Sequence, residues 1–437
     1  MTRQVFGKKL TSFQIIIFGF LGLILVGTIL LMLPISARGG HGATIEEALF
    51  TSTSAVCVTG LVVRDTAEYW SGFGQAVILV LIQIGGLGIV TVAAFIAMIS
   101  GRKISLMQRG LLQDSLSAHQ IGGIVKMTRF IFLTALIAEA AGALFMMPVF
   151  CRQYGAPGVW MSVFHSVSAF CNAGFDVMGS KTGAFSSLTS RASDPWIVIP
   201  VCLLIIIGGI GFLVWYDVKL HGVKLKKYRM QSKVVLYTSL VLLFVFEYSG
   251  YGLKDRVLLS LFQAVTPRTA GFNTASLENL SGRGRMLMIV LMLIGGSPGS
   301  TAGGMKTTTV IVLIANAFSV FRRKKSVQLF GRRIEDNTVR SAATLLMMYL
   351  TLPVIGAAVI STVEKIPLGT CLFETVSAIG TVGLSLGITP ALSLTSHLIL
   401  ILLMFLGRAG GLTLVYAAVS SRSIDVSQRP VEKIIVG

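Results

Sequence analysis

Apolar stretches of membrane length recur along the whole chain. A helix needs roughly 20 apolar residues to cross the hydrocarbon core of a bilayer. Stretches of this kind lie at residues 13–35, 75–99, 127–150, 196–218, 234–252, 285–321, 341–362 and 396–420. We therefore predict eight transmembrane helices. The first is predicted to be retained, because its apolar run is longer than that of a signal peptide and lacks a cleavage motif.

Between the two members of each successive pair of spans lies a segment too short to cross the membrane, which ends in a polar stretch closed by glycine. These segments are residues 45–60, 159–174, 256–271 and 368–383. Non-helical backbone survives at membrane depth only where protein or water surrounds it, so we interpret each segment as a pore loop that enters the membrane and returns. The predicted repeats of helix, pore loop and helix are residues 1–110, 111–225, 226–335 and 336–437.

Composition and charge distribution indicate the class of protein and its orientation. Charged residues make up 13% of the chain, whereas soluble domains carry about 25%. Most of the 37 Lys and Arg residues lie at the termini and near 101–129, 219–233 and 322–340. Positive charge marks the cytoplasmic side, so both termini are predicted to be cytoplasmic and the pore loops to enter from outside the cell membrane. The net charge of +19 then reflects topology and not binding to nucleic acid.

The orientation of the repeats predicts a pore. Every repeat begins and ends on the same side of the membrane, so the repeats are parallel about an axis along the membrane normal. Inverted repeats, which are typical of many carriers, are not indicated. The predicted fold class is an all-α membrane protein with four parallel helix–pore-loop–helix repeats around a central pore, in a K⁺-channel-like pseudo-fourfold arrangement.

The glycines that close the pore loops are candidates for a selectivity filter. Thr381, Val382 and Gly383 match the start of the K⁺-channel filter signature, whose backbone carbonyls replace the hydration shell of K⁺. Glycine suits such a site because it adopts positive φ without steric cost. The alternative is that the glycines close ordinary extracellular turns. The predicted K⁺-binding residues are Val58, Thr59, Gly60, Asn172, Ala173, Gly174, Thr269, Ala270, Gly271, Thr381, Val382 and Gly383.

The second helix of the third repeat is too long to be one straight span. Residues 286–321 would extend about 54 Å as a helix, against a hydrocarbon core of about 30 Å. Residues 295–309 contain several glycines and a proline, which disfavour helix, so we predict a loop across the cavity below the filter, with a passive kink as the alternative. Glycine clusters at 85–86, 208–209 and 407–411 of the other second helices are interpreted as sites of close helix packing.

Ionisable residues within membrane segments are costly and commonly functional. Arg408 is predicted to face the cavity beneath the filter, either as a fixed charge that shapes the energy profile of K⁺ or as a partner of backbone carbonyls. Arg268 is predicted to lie behind the filter, paired with a carboxylate such as Glu374 or Asp176. Glu139 needs a partner that the sequence does not identify.

The four pore loops, the stretch Thr266–Thr274 and the run Gly295–Thr309 resemble the Trk/Ktr/HKT superfamily of K⁺ transporters, and the resemblance covers essentially the whole chain. With eight spans, the chain is more similar to the Ktr branch than to the Trk branch. The resemblance implies a membrane subunit of a gated K⁺ uptake system that forms a homodimer. It also implies a cytoplasmic KtrA-like ring as partner, with nucleotide bound only there. Since only one pore loop carries Thr-Val-Gly, an imperfect filter is expected.

The resemblance further implies that the loop in the third repeat is a gate, which opens when the cytoplasmic subunits change state. Arg408 is included because its predicted position is beneath the same filter. The gate residues expected on this basis are Gly295, Gly296, Ser297, Pro298, Gly299, Ser300, Thr301, Ala302, Gly303, Gly304, Lys306 and Arg408.

Two classes of function remain open. The first is a K⁺-selective pore without enzymatic activity, with Na⁺ as a candidate activator; no Walker A, HExxH or Gly-x-Ser-x-Gly site with plausible partners is present. The second is a K⁺ symporter coupled to Na⁺ or H⁺, against which the lack of paired membrane carboxylates argues. The basic segment 322–333 is interpreted as a positive-inside signal, with contacts to anionic membrane lipid or to a docking partner as alternatives.

Overall fold

The computed structural model describes most of the 437-residue chain as helix. The described residues are 4–5, 8–9, 11–101, 104–116, 123–212, 214–216, 252–324 and 326–410. Almost all of the predicted span at 234–252, and the part of the last predicted span beyond residue 410, lie outside the described residues. The described strands form two short antiparallel hairpins, Gln4–Val5 with Lys8–Lys9 and Gln328–Leu329 with Arg332–Arg333.

The α-helices range from 4 to 31 residues in length, and we group them by the predicted repeats. In chain order they are α1 (Ser12–Met32), α2 (Ile45–Val56), α3 (Thr66–Tyr69), α4 (Gly72–Leu87), α5 (Ile89–Ile99), α6 (Leu106–Leu116), α7 (Ile124–Tyr154), α8 (Pro157–Phe170), α9 (Gly179–Thr182), α10 (Pro195–Ile210), α11 (Leu253–Val265), α12 (Gly282–Leu293), α13 (Thr307–Phe321), α14 (Asp336–Glu364), α15 (Leu368–Ile379) and α16 (Leu394–Ala409). We call α2, α8, α11 and α15 the pore helices. They follow the first helices α1, α7 and α14 and precede the second helices α4, α10, α12 and α16; the first helix of the third repeat lies outside the described residues.

Within the described part of the chain, α1, α7 and α14 are long and apolar enough to cross a membrane. Helices α4 and α5 would form a fourth span if they were joined across the bend of 98° between them. The second helices are therefore shorter than the sequence predicted. A membrane protein with interrupted second helices needs protein around each interruption, since exposed backbone is not tolerated in lipid.

Two second helices are interrupted, and a third ends, at glycines with positive φ. Gly88, Gly211 and Gly410 have φ of +86°, +98° and +81°, a region that glycine enters without the penalty paid by residues with a Cβ. The prediction of continuous helices at 75–99 and 196–218 is therefore wrong at these positions. Likewise, α16 ends at Ala409, directly before Gly410.

Close packing at the glycine clusters is confirmed. Three glycines on second helices lie so close to the last residue of a pore helix that an added side-chain carbon would overlap its carbonyl oxygen. The pairs are Gly85 with Val56, Gly208 with Phe170, and Gly407 with Ile379. Each of these three second helices therefore contacts the carboxyl end of the pore helix in its own repeat, and only a residue without a side chain permits this approach.

A hydroxyl group on the pore helix joins it to the first helix of the same repeat in every repeat where both are described. The bonds run from Ser52 Oγ to the Ile24 carbonyl at 2.8 Å, from Ser166 Oγ to the Glu139 carbonyl at 2.6 Å, and from Thr375 Oγ1 to the Pro353 carbonyl at 2.9 Å. Three residues after each acceptor stands a buried glycine, namely Gly27, Gly142 and Gly356. These glycines leave room for the hydroxyl side chain, so the two residues act together to hold the pore helix.

The second helix of the third repeat is divided, as predicted, by a non-helical segment that we call the α12–α13 loop (residues 294–306). The predicted end of this loop at residue 309 is wrong, because Thr307–Thr309 form the first turn of α13. The ends of the loop are joined by two bonds, from the Gly295 amide to the Met305 carbonyl at 2.8 Å and from the Thr307 amide to the Gly296 carbonyl at 3.2 Å. The loop therefore leaves the helix and returns at nearly the same place.

Candidate functional site

After each pore helix the chain enters a three-residue segment that is bonded to that helix. We call these segments the filter loops; they are residues 58–60, 172–174, 269–271 and 381–383. In three of them the middle amide donates to a serine carbonyl five residues earlier, at 2.8 Å: Thr59 to Ser54, Ala173 to Ser168 and Val382 to Ser377. In the third repeat the stretch from Phe262 to Gly271 is one residue shorter than its counterparts, and the Ala270 amide donates instead to the Thr266 carbonyl at 3.0 Å. Each filter loop is thus fixed by local bonds.

The four filter loops share one backbone conformation. The first and last residue of each loop have positive φ: Val58 +56°, Gly60 +95°, Asn172 +57°, Gly174 +69°, Thr269 +63°, Gly271 +75°, Thr381 +50° and Gly383 +87°. The prediction that the glycines adopt positive φ is confirmed. Positive φ at valine or threonine was not predicted, since it costs on the order of 1–3 kcal/mol and persists only where the surrounding structure imposes it.

The four glycines of the filter loops meet in cyclic order. An added side-chain carbon would lie 2.5 Å from the Ala173 carbonyl oxygen at Gly60, 2.8 Å from that of Ala270 at Gly174, and 2.6 Å from that of Val382 at Gly271. At Gly383 it would overlap the Thr59 carbonyl oxygen, which closes the ring. Four sequence segments separated by about a hundred residues each therefore surround one point, as the sequence analysis predicted for a shared site.

Three threonine side chains of the filter loops have hydroxyl groups without a hydrogen-bond partner among the described residues. These hydroxyl groups, of Thr59, Thr269 and Thr381, are buried. Asn172 differs, since its amide nitrogen donates to the Arg268 carbonyl at 3.3 Å. A buried hydroxyl without a partner is costly, and a cation or water beside the loop would remove that cost.

A cavity of about 530 Å³ opens at the glycine end of the filter loops and is lined by all four of their glycines. Three acidic residues, Asp65, Asp176 and Glu278, contribute to its wall. Burial raises the pKa of Asp176 to about 7, so this carboxyl group gains or loses its charge near neutral pH. Carboxylates that line a cleft raise the local concentration of cations.

At the opposite end of the filter loops, the α12–α13 loop contacts the second repeat. The Ser297 amide donates to the Gly209 carbonyl at 3.0 Å and the Thr301 amide to the Gly208 carbonyl at 3.3 Å. The Thr301 hydroxyl lies 3.0 Å from the Phe170 carbonyl and 3.1 Å from the Asn172 side-chain oxygen. The loop is therefore bonded to the pore helix and the filter loop of a different repeat.

The same loop also contacts the fourth repeat. A side-chain carbon at Gly303 would overlap the Thr381 hydroxyl oxygen, and one at Gly304 would lie 2.7 Å from the Gly380 carbonyl oxygen. The Lys306 ammonium group donates back to the Ala302 carbonyl at 2.8 Å. These contacts place residues 301–304 directly against the beginning of the fourth filter loop.

The Arg408 side chain connects three repeats through backbone carbonyls. Its guanidinium group donates to the Thr301 carbonyl in the α12–α13 loop, and to the carbonyls of Gly85 and Gly86 in α4, the latter at 3.0 Å. Of the two roles considered for Arg408, the geometry matches the partner of backbone carbonyls. Hydrogen bonds from a charged donor are stronger than neutral ones, so this side chain is a major link between the loop and the helices around it.

Two further charged groups in the membrane segments are accounted for by contacts. Glu139 accepts hydrogen bonds from the Gln83 side chain at 2.9 and 3.1 Å, which supplies the partner that the sequence did not identify. The Glu374 carboxylate accepts from Ser385, Thr389 and the Leu386 amide, each at 2.8 Å. The pairing predicted between Arg268 and a carboxylate stays a prediction.

Sequence reasoning missed three features of the site. The hydroxyl groups on the pore helices precede the filter glycine by eight residues in three loops, at Ser52, Ser166 and Thr375, and this spacing was available as a signal. The role of Thr301 was visible only as part of a flexible-looking run of small residues. The positive φ of Val58 had no sequence signal, because valine is among the residues least expected there.

A family model, related sequences and a solved structure all match this chain to the same group of transport proteins. The TrkH family, described as "Cation transport protein", matches residues 5–247 and 248–426. The chain is 39% identical to the potassium/sodium uptake protein NtpJ of Enterococcus hirae, covering 98% of each chain. It is 37% identical to the Ktr system potassium uptake protein B of Bacillus subtilis, covering 96% of this chain and 95% of that protein.

Among solved structures, the crystal structure of the potassium transporter TrkH from Vibrio parahaemolyticus superposes with a TM-score of 0.74 at 19% identity, covering 94% of this chain and 86% of that one. At this identity the superposition establishes the fold alone. The family match over nearly the whole chain and the relatives above 30% identity establish the lineage, and they confirm the resemblance found in the sequence. The protein is a member of the TrkH family of membrane cation transport proteins.

Proposed function

We propose that this chain is the membrane pore subunit of a K⁺ uptake system, in which the four filter loops select K⁺ and the α12–α13 loop gates its passage. The observation that carries this proposal is the cyclic approach of Gly60, Gly174, Gly271 and Gly383. The names of NtpJ and of the Ktr protein B, both potassium uptake proteins, support the choice of K⁺ as the transported ion.

Selection of K⁺ follows from the backbone of the filter loops. Alternation of left-handed and other residues turns successive carbonyl groups toward one side of a strand, so four such strands offer a ring of oxygens to an ion on their common axis. Two of the pore helices end at Val56 and Phe170, two residues before their filter loops begin. Helix dipoles place partial negative charge at these ends, which favours a cation over an anion.

Gating follows from the position of the α12–α13 loop. The contacts of Thr301 with Asn172, and of Gly303 with Thr381, support a position of the loop across the proposed exit from two filter loops. K⁺ leaving the filter would have to displace it. The loop holds its position through bonds to other repeats, so a movement of those helices would release it.

The assembly is proposed to be a homodimer with a cytoplasmic KtrA-like ring that binds the regulatory nucleotide. The repeats are proposed to correspond to residues 1–110, 111–225, 226–335 and 336–437, with both termini cytoplasmic. The name of the Bacillus subtilis relative, a component of a Ktr system, supports association with other subunits. The subunit itself is proposed to have no enzymatic activity.

The second candidate is a K⁺ symporter coupled to Na⁺ or H⁺, which is favoured by one specific observation: the name of NtpJ includes sodium as well as potassium. Na⁺ would be a regulator in the first case and a cotransported ion in the second. A regulator changes the rate of K⁺ flux without being carried in fixed proportion.

Flux from proteoliposomes separates the two candidates. We expect purified protein with its cytoplasmic partner to carry ⁸⁶Rb⁺ down its gradient in Na⁺-free buffer at equal pH on both sides, with Na⁺ changing the rate only. Strict dependence of Rb⁺ flux on a Na⁺ or pH gradient, with a fixed stoichiometry, would show that the symporter is correct. Absence of Rb⁺ flux under both conditions would contradict both candidates.

A further inference from the structure

An apolar groove runs along the outer surface of the second repeat, between α7 and α10. Its volume is about 490 Å³, within the range of ligand-binding pockets. Its lining includes the small residues Ala138, Ala141 and Gly142, while Phe145 and Trp196 stand beside it with 59% and 62% of their surface exposed. The groove is deep because α7 carries small residues where it faces α10.

The groove continues into a basic pocket at the membrane side on which the pore helices begin. This pocket, of about 910 Å³, shares Phe145 and Trp196 with the groove and adds Arg152, Arg191 and Asp194. It lies there because α7 ends at Tyr154, shortly before the pore helix α8, and α10 begins at Pro195, after the segment 183–194 that follows α9.

Arg191 is positioned in the pocket by contacts with Tyr154. Arg191 donates to the Tyr154 hydroxyl at 3.1 Å and lies over the ring of the same tyrosine, 5.7 Å from its centre. Lys181 lies 6.0 Å from the centre of that ring, and Lys254 lines an adjoining cavity with Arg191. The Arg191 Nε is buried and has no hydrogen-bond partner among the residues that the structure describes.

We propose that the groove and the basic pocket together bind one anionic glycerophospholipid. The phosphate would lie between Arg152 and Arg191, since planar guanidinium groups match the oxygens of a phosphate. One acyl chain would fill the apolar groove. Trp196 stands between the two parts, which is the depth at which tryptophan is enriched in membrane proteins.

Charge distinguishes this occupant from a second copy of the chain. The pocket holds two arginines with Lys181 and Lys254 close by, against the single carboxylate of Asp194 in its lining. A twofold contact with this pocket on its axis would bring two basic pockets together, and their like charges would repel. An anionic lipid headgroup instead offsets their charge.

Lipid at this site would act on the second repeat of the pore. The Ser166 hydroxyl on the pore helix α8 donates a hydrogen bond to the Glu139 carbonyl of α7. A lipid packed against α7 and α10 would hold both helices against α8. Lipid binding is therefore expected to raise the melting temperature of the protein.

Native mass spectrometry of the full chain tests the proposal, using dioleoyl phosphatidylglycerol and dioleoyl phosphatidylcholine at equal concentrations. We expect phosphatidylglycerol to be retained about tenfold more, which corresponds to about 1.4 kcal/mol. The variant R152Q/R191Q should lose this preference, and Arg152→Gln alone, an exposed position outside the Tyr154 contact, should lose part of it. Arg283→Gln, an exposed arginine on the same membrane side, should behave as wild type.

A second pair of variants tests the groove. Ala141→Phe fills it and should lower retention of phosphatidylglycerol and remove the rise in melting temperature that this lipid causes. Ala140→Phe, exposed on the same helix but outside the groove, should change neither. Equal retention of both lipids by the wild type, or retention unchanged in R152Q and A141F, would overturn the proposal. Loss of dimer in A141F without loss of lipid would assign the groove to a second copy and would also overturn it.

Discussion

The filter loops and the α12–α13 loop are both non-helical and glycine-rich, but they are held in different ways. Each filter loop is bonded to its own pore helix, as in the bond from the Thr59 amide to the Ser54 carbonyl. The α12–α13 loop is bonded through Ser297 and Thr301 to the second repeat, and through Arg408 to the fourth. The filter loops therefore keep their shape when helices move, whereas the position of the α12–α13 loop depends on those movements.

Under the proposed function, this difference assigns ion selection to the loops with local bonds and gating to the loop held by other repeats. Discrimination between K⁺ and Na⁺ needs oxygens at constant spacing, and local bonds with strained but enforced dihedrals provide it. A gate needs two positions of similar free energy. A segment with few apolar contacts of its own, held by bonds to several neighbours, belongs to the least stable part of a fold.

The largest expected effect is on the fixed region. Replacing Gly383 by serine should lower the K⁺/Na⁺ preference at least about tenfold, or about 1.4 kcal/mol, because a side chain there would overlap the Thr59 carbonyl. Rb⁺ uptake in competition with Na⁺ measures it. Gly369→Ser, in the same repeat with no atom within 4 Å of the new side chain, should keep the wild-type ratio. Unchanged ratios in serine variants of all four filter glycines would contradict the filter assignment.

The next effect concerns the whole movable region. Deleting residues 298–303 should raise Rb⁺ flux in the absence of the cytoplasmic partner about tenfold, equivalent to about 1.4 kcal/mol. The loop can be shortened because its ends are already joined at Gly295 and Met305. Ser300→Ala removes only a bond to Ser297 within the loop and should leave partner control intact. Unchanged flux in the deletion variant would favour a passive kink.

Removing one link that holds the α12–α13 loop should raise partner-independent flux less than deleting the loop does. Arg408→Gln removes one of several links that hold the loop. It should raise partner-independent flux by this smaller amount, while reducing the further rise caused by the partner. Flux measured with and without the cytoplasmic subunit shows both. Arg340→Gln, an exposed arginine at the start of α14, is the control. A variant that no longer reaches the membrane would mean that Arg408 is needed for folding instead.

The bonds that fix the pore helices should affect stability more than gating. Ser166→Ala removes the bond to the Glu139 carbonyl and should lower the free energy of unfolding by about 1 kcal/mol, with partner control of flux unchanged. Ser190→Ala, at an exposed position of the same repeat, is the control. Thermal unfolding measures the change in stability, and flux with and without the cytoplasmic partner measures control. Loss of partner control in S166A would contradict the distinction between a fixed and a movable region.

The smallest effect is expected at the outer mouth. Because burial raises the pKa of Asp176 to about 7, the carboxylate is charged above that pH and neutral below it. Uptake at low external K⁺ should therefore fall by about twofold as the external pH drops from 8 to 6, since a carboxylate near the entrance concentrates cations. Asp176→Asn should give a flat profile at the lower rate. A profile identical to wild type would show that another group titrates.

Much of the architecture could be predicted from the sequence because the relevant signals are local. Apolar length predicted the membrane segments, and the glycines that close four matched stretches predicted loops that converge. Proline and several glycines between residues 295 and 304 predicted the interruption in the third repeat. In each of these cases the residue types limit the backbone by themselves, through hydrophobicity or through freedom at φ.

What only the tertiary structure decided is which groups meet across the chain. The carbonyls bound by Arg408 belong to Thr301 and Gly85, which lie 107 and 323 residues away, and no local pattern specifies such partners. The positive φ of Val58 runs against its own preference and is imposed by the packing of the four loops. The breaks at Gly88 and Gly211 were hidden because glycine within an apolar run fits either a packed helix or its end. Sequence set the backbone freedom of each segment; contacts between repeats selected the conformation.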